Sequence, residues 1–317
     1  MSQQRIAGTL ATACSSHSIV FWHRTGLLLA FVLPLLLLPL LLMLAACAPG
    51  ARRMDLETAQ ALAAPARLDA RLRRSGQFVL TTRERIEQPG SDVTIYIEGD
   101  GFAWATRTLP SNDPTPDNPV ALALAALDPA PNVAWIARPC QYTPRTENPL
   151  CALYYWTHGR LAPEVVQSVD AAVTAIKVAA RAPRVHLVGY SGGGGLAVLV
   201  AATRTDVASI RTLAGNLEIE AFTRLHGVSA MTGSLNPAAH AKAVEHIPQQ
   251  HWVGAADAVV PVAISRAYLA AMTSQNCARV TVLPGVSHYD GWPAVWRTLV
   301  PTLPACIPVS PRSPTIP

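Results

Sequence analysis

The sequence of residues 185–204 predicts a buried strand, a tight turn around Ser191 and a glycine-rich helix. The strand is apolar apart from one histidine, and the helix opens with four glycines, Gly192–Gly195. Because glycine is a poor helix former, four in succession would be costly in an ordinary surface helix, and close packing of the helix against the sheet is one explanation for them. A phosphate-binding loop also uses glycines, but no Gly-Lys-Ser/Thr sequence follows here. The pattern therefore predicts a serine on a strained strand-to-helix turn, with its hydroxyl exposed.

Strands and helices alternate along the body of the chain. The predicted strands are 77–82, 93–97, 132–137, 184–189, 209–214, 250–254 and 279–283, and the predicted helices are 120–127, 163–181, 192–204, 261–274 and 291–299. Continuous apolar strands are typical of a parallel sheet covered on both faces, so we expect an α/β fold with a doubly wound, mostly parallel sheet over residues 77–307. Residues 47–76 are expected to be a tether or a peripheral helix, and the Pro/Ser-rich residues 308–317 a disordered tail.

The N-terminal residues carry an apolar run from Leu27 to Ala46, with Arg24 just before it. This order predicts a secretory signal peptide over residues 1–46. The run ends in Leu44-Ala45-Ala46-Cys47, which resembles the lipobox of bacterial lipoproteins. The resemblance implies cleavage before Cys47, a lipid anchor on its sulfur and, since Ala48 is not aspartate, an outer-membrane position facing the periplasm. An uncleaved transmembrane helix is the alternative, because about 20 apolar residues span a bilayer.

The charge balance gives no sign of a nucleic-acid partner. The chain has 25 basic and 20 acidic residues, and residues 1–46 hold two of the basic ones and no acid. The remainder is nearly neutral, and its arginines are often interleaved with acids, as in residues 83–87. A phosphate backbone requires a dense basic face, so we expect no nucleic-acid partner. The histidines lack paired ligand spacing and no cofactor motif is present, so we expect neither a metal nor a cofactor.

Four cysteines remain in the body once Cys14 and Cys47 are set aside, and an exported protein can join them in disulfides. Three pairings are possible. We favour Cys140 with Cys151, which would close a Pro-rich loop, and Cys277 with Cys306, which would fasten the C-terminal segment to the end of a helix. Four buried free thiols are the alternative, since cysteine is also a common core residue.

Two further side chains follow strands and complete a chemical set with Ser191. A serine hydroxyl needs a base to take its proton, and the base needs a carboxylate to orient it. Asp257 follows the strand 250–254, and His288 follows the strand 279–283. The Gly-x-Ser-x-Gly turn, the Gly-x-x-Asp-x-Val-Val-Pro segment and Gly-x-Ser-His resemble the α/β-hydrolase superfamily over about residues 77–299. The resemblance implies that Ser191 is the nucleophile, Asp257 the acid and His288 the base.

These assignments have alternatives in the sequence. Asp257 could instead cap the following helix, and His288 could be an exposed loop histidine. Asp290 and Glu218 are the next candidates for the acid. His186 lies inside the strand before Ser191 and is expected to be a core or sheet-edge residue.

An oxyanion hole requires two N–H donors near the serine. The Gly192 N–H is the first expected donor, and the second should come from the loop after the strand 93–97. Most of the superfamily has a His-Gly pair in this loop, whereas this chain has Glu98-Gly99-Asp100-Gly101. Two alignments are open, with either Phe102 or Asp100 as the donor. We favour Phe102, because a carboxylate at the hole would oppose the charge that the site must stabilise.

The function expected from these residues is hydrolysis of an ester, or less readily an amide, through an acyl-enzyme on a small-molecule or lipid-like substrate. Two alternatives use the same fold: a non-catalytic binding or assembly protein of the cell envelope, and an acyltransferase with the same triad. Loops 104–119 and 139–163 are expected to roof the site. Tyr154–Trp156 in the second loop would either line the pocket or pack under this lid. The natural substrate and the oligomeric state are left open.

Overall fold

The computed structural model describes residues 50–308, with side chains from Asp55 onward. The compact unit that contains the sheet begins at Arg53. The predicted signal peptide over residues 1–46, the predicted lipidation site Cys47 and residues 309–317 of the predicted tail lie outside the described residues. Within residues 50–308, no helix combines the length and the apolar character that crossing a bilayer requires.

Eight strands form one sheet. They are β1 (Asp69–Ser75), β2 (Phe78–Ile86), β3 (Val93–Ile97), β4 (Asn132–Ile136), β5 (Val185–Tyr190), β6 (Val207–Leu213), β7 (Gln249–Gly254) and β8 (Ala278–Leu283). Their order across the sheet is β1-β2-β4-β3-β5-β6-β7-β8. β2 pairs antiparallel with both β1 and β4, and the remaining pairs are parallel. The carboxyl ends of β3, β5, β6, β7 and β8 therefore meet at one edge of the sheet.

Helices cover both faces of this sheet. They are α1 (Gly50–Ala63), α2 (Val120–Ala126), α3 (Pro163–Ala180), α4 (Gly192–Ala201), α5 (Ile219–His226), α6 (Ala241–Val244), α7 (Val262–Ala270) and α8 (Trp292–Leu299), with 3-10 turns at Leu153–Trp156 and Pro237–His240. Ile95 of β3 joins the apolar cluster formed with α3, α4 and α7. The next residue, Tyr96, joins the cluster on the opposite face, formed with α1, α2 and α8. This arrangement confirms the expected doubly wound α/β fold.

The start of the sheet differs from the sequence expectation. β1 lies within residues 47–76, which were expected to form a tether or a peripheral helix, and it pairs with β2 along its whole length. β1 is not predicted from the sequence, because it is a mostly exposed edge strand with the polar sequence DARLRRS. Its Arg73 donates two hydrogen bonds of 2.6 Å to Glu84 of β2. The boundary at residue 77 is therefore too late, and the sheet begins at Asp69.

Two disulfides crosslink the described residues, one within the connection between β4 and α3 and one that ties down the C-terminal segment. Cys140 is bonded to Cys151, and Cys277 is bonded to Cys306. These are the two pairs favoured from the sequence. Disulfides persist in oxidising compartments, so this pairing suits an exported protein.

Candidate active site

Ser191 lies on the turn between β5 and α4, with φ 52° and ψ −121°. A non-glycine residue at positive φ is strained, and hydrogen bonds to β6 and to the loop that follows it hold Ser191 in this conformation. Its N–H donates to the Leu213 carbonyl at 3.0 Å, and its carbonyl accepts from the Asn216 N–H at 2.9 Å. The flanking glycines are required by space, because a Cβ on Gly189 or on Gly193 would lie 2.3 Å from a backbone oxygen. The predicted strained turn is therefore present.

The structure brings Ser191, His288 and Asp257 into contact. His288 Nε2 lies 3.2 Å from Ser191 Oγ, and His288 Nδ1 lies 2.9 Å from Asp257 Oδ2. A carboxylate only accepts hydrogen bonds, so the imidazole carries its proton on Nδ1 and leaves Nε2 free to accept the serine proton. All three residues are buried, and the hydrogen-bonded side chains of Asp257 and His288 are almost completely enclosed.

Backbone donors and aromatic side chains hold the acid and the histidine in place. Asp257 Oδ1 accepts hydrogen bonds from the N–H groups of Val259 at 2.9 Å and Val260 at 2.7 Å, so each carboxylate oxygen has a separate task. The His288 carbonyl accepts hydrogen bonds from Tyr190 Oη and from Trp292 Nε1, each at 2.8 Å. These bonds fix the position of the imidazole relative to Ser191.

The expected oxyanion donor Phe102 is contradicted by its hydrogen bonding. Its N–H already donates to the Pro114 carbonyl at 3.0 Å, and the residue as a whole is 45% exposed. The N–H groups of Asp100 and Gly192, by contrast, donate to no acceptor among residues 50–308. The loop also lies directly against the serine, since a Cβ on Gly99 would be 3.3 Å from Ser191 Cβ. The alternative alignment, with Asp100 as the donor, therefore fits the structure.

The Asp100 side chain is held by two arginines that the sequence did not single out. Arg138 Nη1 donates to Oδ1 at 2.8 Å, and Arg160 Nη1 donates to Oδ2 at 2.7 Å. Burial by itself would raise the pKa of Asp100, but the charges and hydrogen bonds of Arg160 and Arg138 hold that pKa below its ordinary value. Asp100 is therefore a carboxylate at neutral pH.

Glu98, two residues earlier, anchors the same loop to the sheet. It accepts hydrogen bonds from the Gly99 N–H at 3.0 Å and from Trp135 Nε1 at 2.9 Å, and two further N–H groups at the start of α2 donate to it at 3.3 Å. Burial raises the pKa of Glu98 despite these four donors. A buried acid with every lone pair directed at the protein serves structure, so Glu98 fixes where β3 ends and the loop begins.

A cavity of about 470 Å³ opens above Ser191 and His288. Apolar and aromatic side chains form much of its wall; among them are Phe102, Ala103, Trp104, Phe222, Val259, Val260 and Tyr289. Asn216 also lines it, is 3% exposed, and its Oδ1 has no hydrogen-bond partner among the described residues. Such a wall suits a largely apolar ligand with a hydrogen-bonding group.

The aromatic residues Tyr154–Trp156 do not line this cavity. Trp156 is buried and donates from Nε1 to the Ser111 carbonyl at 3.0 Å. Tyr155 packs edge-on against Phe78, with ring centroids 4.9 Å apart. Of the two possibilities left open by the sequence, packing is therefore the one observed.

The remaining candidate residues are engaged elsewhere. Asp290 accepts a hydrogen bond from Ser287 Oγ at 3.1 Å, and Glu218 caps the N-terminus of α5. His186 Nδ1 lies 2.8 Å from Ser209 Oγ, as expected of a core or sheet-edge residue. Among residues 50–308, no three or more His, Cys, Asp or Glu side chains are grouped as metal ligands.

Comparison with known proteins gives a fold and no family. No family model and no curated sequence matches the chain. Est1E from Butyrivibrio proteoclasticus matches with a TM-score of 0.51 and 15% identity, over 73% of this chain and 95% of its own. A bacterial membrane phospholipase A matches with a TM-score of 0.51 and 15% identity, over 82% and 92%. An α/β serine hydrolase homologue from Coxiella burnetii gives 0.50 and 16%, over 73% and 94%. These likenesses show that the chain has the α/β-hydrolase fold.

Proposed function

We propose that this chain hydrolyses carboxylic esters through an acyl-enzyme on Ser191. The observation that carries the proposal is the continuous contact from Ser191 Oγ to His288 Nε2 and from His288 Nδ1 to Asp257 Oδ2. The three residues stand 31 and 97 positions apart along the chain, and they meet beneath a cavity that can hold a substrate. A non-catalytic envelope protein has no need of this arrangement.

The first half of the reaction forms the acyl-enzyme. Ser191 Oγ attacks the ester carbonyl carbon while its proton passes to His288 Nε2, and Asp257 stabilises the resulting imidazolium. The carbonyl oxygen becomes an oxyanion and accepts hydrogen bonds from the N–H groups of Asp100 and Gly192. The tetrahedral intermediate then collapses, and His288 returns the proton to the departing alkoxide, which leaves as an alcohol.

The second half releases the acid. A water molecule gives a proton to His288 Nε2 as its oxygen attacks the acyl carbon, and the oxyanion forms again at the same two N–H groups. Collapse of this intermediate breaks the bond to Ser191 Oγ, which recovers the proton from His288. The products are a carboxylic acid and free enzyme, and no cofactor takes part.

The cavity wall favours esters with an apolar acyl or alcohol group. Phe102, Phe222 and Val260 offer apolar surface, and Asn216 offers an amide whose Oδ1 has no partner in the part of the chain that the structure describes. A small or lipid-like ester that also carries a hydroxyl or amide group would use both features.

We also propose that the protein is exported and anchored by lipid on Cys47 in the outer membrane, with its folded body facing the periplasm. The support for the anchor is the Leu44-Ala45-Ala46-Cys47 sequence at the end of an apolar run. The two disulfides support export. Labelling of growing cells with radioactive palmitate tests the anchor. Label on the wild type and none on a Cys47→Ala variant is expected, and equal label on both would contradict it.

The test of the proposed reaction is hydrolysis of p-nitrophenyl esters of two to eight acyl carbons by purified protein. Ser191→Ala should lower kcat by about 10⁴-fold or more, as loss of a triad nucleophile does in serine hydrolases. Ser229→Ala, at an exposed serine in the loop after α5, is the control and should retain full activity. A folded wild-type protein that cleaves none of these esters, or a Ser191→Ala variant that cleaves them normally, would contradict the proposal.

A further inference from the structure

The carboxylate of Asp100 lies beside the place where the oxyanion would form. A Cβ built on Gly192 would be 2.1 Å from Asp100 Oδ1, so the carboxylate rests against Gly192, whose N–H, like that of Asp100, meets no acceptor among the described residues. Like charges repel strongly in a site shielded from water. An uncompensated Asp100 would therefore disfavour the intermediate that the site has to stabilise.

Two guanidinium groups meet this one carboxylate. The side chains of Arg138 and Arg160 are 5% and 11% exposed, and that of Asp100 is 16% exposed. Each arginine binds a different carboxylate oxygen, at 2.8 Å and 2.7 Å. The three groups together carry one net positive charge, and the carboxylate that joins them lies against Gly192.

The arginines are themselves fixed to the protein. Arg138 Nη2 donates to the Arg160 carbonyl, and Arg160 Nε donates to the Thr157 carbonyl at 2.9 Å. Gln141 joins this group to the loop, since its Oε1 accepts from the Arg138 N–H and its Nε2 donates to the Gly99 carbonyl, both at 3.1 Å. The carboxylate therefore has little freedom to turn, and neither has the peptide that bears the Asp100 N–H.

We propose that Arg138 and Arg160 are positioning residues for the oxyanion hole. They hold Asp100 so that its N–H faces the oxyanion, and their combined charge outweighs that of its carboxylate. This inference rests on the proposed function. It also explains how an aspartate can stand beside the oxyanion, where its negative charge alone would be unfavourable.

The test compares Arg160→Met with Arg160→Lys. Both variants lose the bond from Nε to Thr157, but only the lysine keeps a positive charge near Asp100. Arg160→Met should lower kcat by about 100-fold, a loss comparable to that of one oxyanion donor, with KM within about threefold of the wild type. Arg160→Lys should recover most of this loss.

Inhibitor binding separates positioning from general damage. Ser191 Oγ adds to the carbonyl carbon of a trifluoromethyl ketone. The ketone oxygen becomes an oxyanion, and the serine proton passes to His288. The matched methyl ketone binds largely without this addition. Arg160→Met should weaken the trifluoromethyl ketone by the same factor as kcat and leave the methyl ketone unchanged.

Arg204→Met is the control for loss of a mostly buried, doubly paired arginine. Arg204 bonds Asp170 and Asp206 beyond the C-terminal end of α4, away from the cavity. This variant should melt at a lower temperature with unchanged kcat and unchanged trifluoromethyl ketone affinity. If Arg160→Met does not fold, Arg160→Gln, which keeps donor groups without a charge, takes its place in the comparison.

Three results would overturn the inference. Equal activity of the uncharged and lysine variants would assign Arg160 a merely structural role. A loss confined to KM would make Arg160 a substrate contact. Trifluoromethyl ketone affinity that stays constant while kcat falls would separate the arginine from the oxyanion. If the wild type has esterase activity and the Arg160 variants match it, only the positioning role is contradicted. A folded wild type without esterase activity contradicts both the proposed function and the positioning role.

Discussion

Replacement of Asp257 by asparagine should reverse the tautomer of His288. Asp257 Oδ1 accepts the N–H groups of Val259 and Val260, and Oδ2 faces His288 Nδ1. An asparagine has one acceptor oxygen, and that oxygen has to take the place of Oδ1 because two backbone donors are directed at it. The amide NH₂ then faces His288 Nδ1, which has to accept a hydrogen bond. The imidazole proton consequently moves to Nε2. A protonated Nε2 can no longer accept the proton of Ser191.

The magnitude follows from the same geometry. All three hydrogen bonds at position 257 are retained in the variant, with the direction of one reversed, so stability should change little. The wrong tautomer in a serine-histidine-aspartate triad lowers kcat by about 10⁴-fold. A factor of this size corresponds to about 5.5 kcal/mol in the activation free energy.

The assay is kcat for p-nitrophenyl butyrate, together with the melting temperature of each variant. Asp290→Asn is the control, because Asp290 is a nearby acid whose hydrogen bonds within residues 50–308 are to Ser287. This variant should keep kcat within about twofold of the wild type. An Asp257→Asn variant that keeps more than a tenth of wild-type kcat would refute the assignment of Asp257 as the acid that orients His288. A large loss in Asp290→Asn would transfer the role to that residue.

Further predictions concern the oxyanion loop, a shifted acid and a disulfide. Gly192→Ala should lower kcat/KM by about 100-fold without unfolding the protein, because the new Cβ would displace the Asp100 carboxylate; activity within threefold of the wild type would contradict the packing. Burial and two neighbouring aspartates raise the pKa of Asp55 to about 6 in the native protein. The unfolded chain loses the Asp55 proton at lower pH, near 3.8, so the protein loses stability as pH rises from 3.8 to about 6. Asp55→Asn should therefore raise the melting temperature at pH 7.5 and have little effect near pH 3.5, and an equal rise at both would contradict this. Replacing Cys140 and Cys151 with serine should lower stability by about 2–3 kcal/mol in urea unfolding, since the crosslink closes a short loop; unchanged stability would count against it.

The sequence predicts the fold well where strands are buried on both faces. β3 was expected at 93–97 and is Val93–Ile97, because continuous β-branched and aromatic residues allow few alternatives. β1 was not predicted, since an edge strand rich in arginine has no apolar pattern. The helix α5 was also missed, because only Ile219 and Thr223 of its eight residues are buried.

The candidate site shows the same division. Ser191, Asp257 and His288 could be chosen because parallel strands end at one edge of the sheet, and local sequence marks each of those ends. The oxyanion donor could not be chosen, because it depends on the hydrogen bond that Pro114 forms with Phe102. The two arginines lie 38 and 60 residues from Asp100, in a loop that carries no motif, so only tertiary structure brings them together.

Peptide mass mapping after reaction with a fluorophosphonate tests directly whether Ser191 is an activated nucleophile. Fluoride leaves as the serine oxygen bonds to phosphorus, so one adduct per chain records an activated hydroxyl. We expect the adduct on the peptide that contains Ser191, and we expect His288→Ala to stay folded and take up no label. A folded wild-type protein that takes up no probe, or an adduct on a different residue, would contradict it.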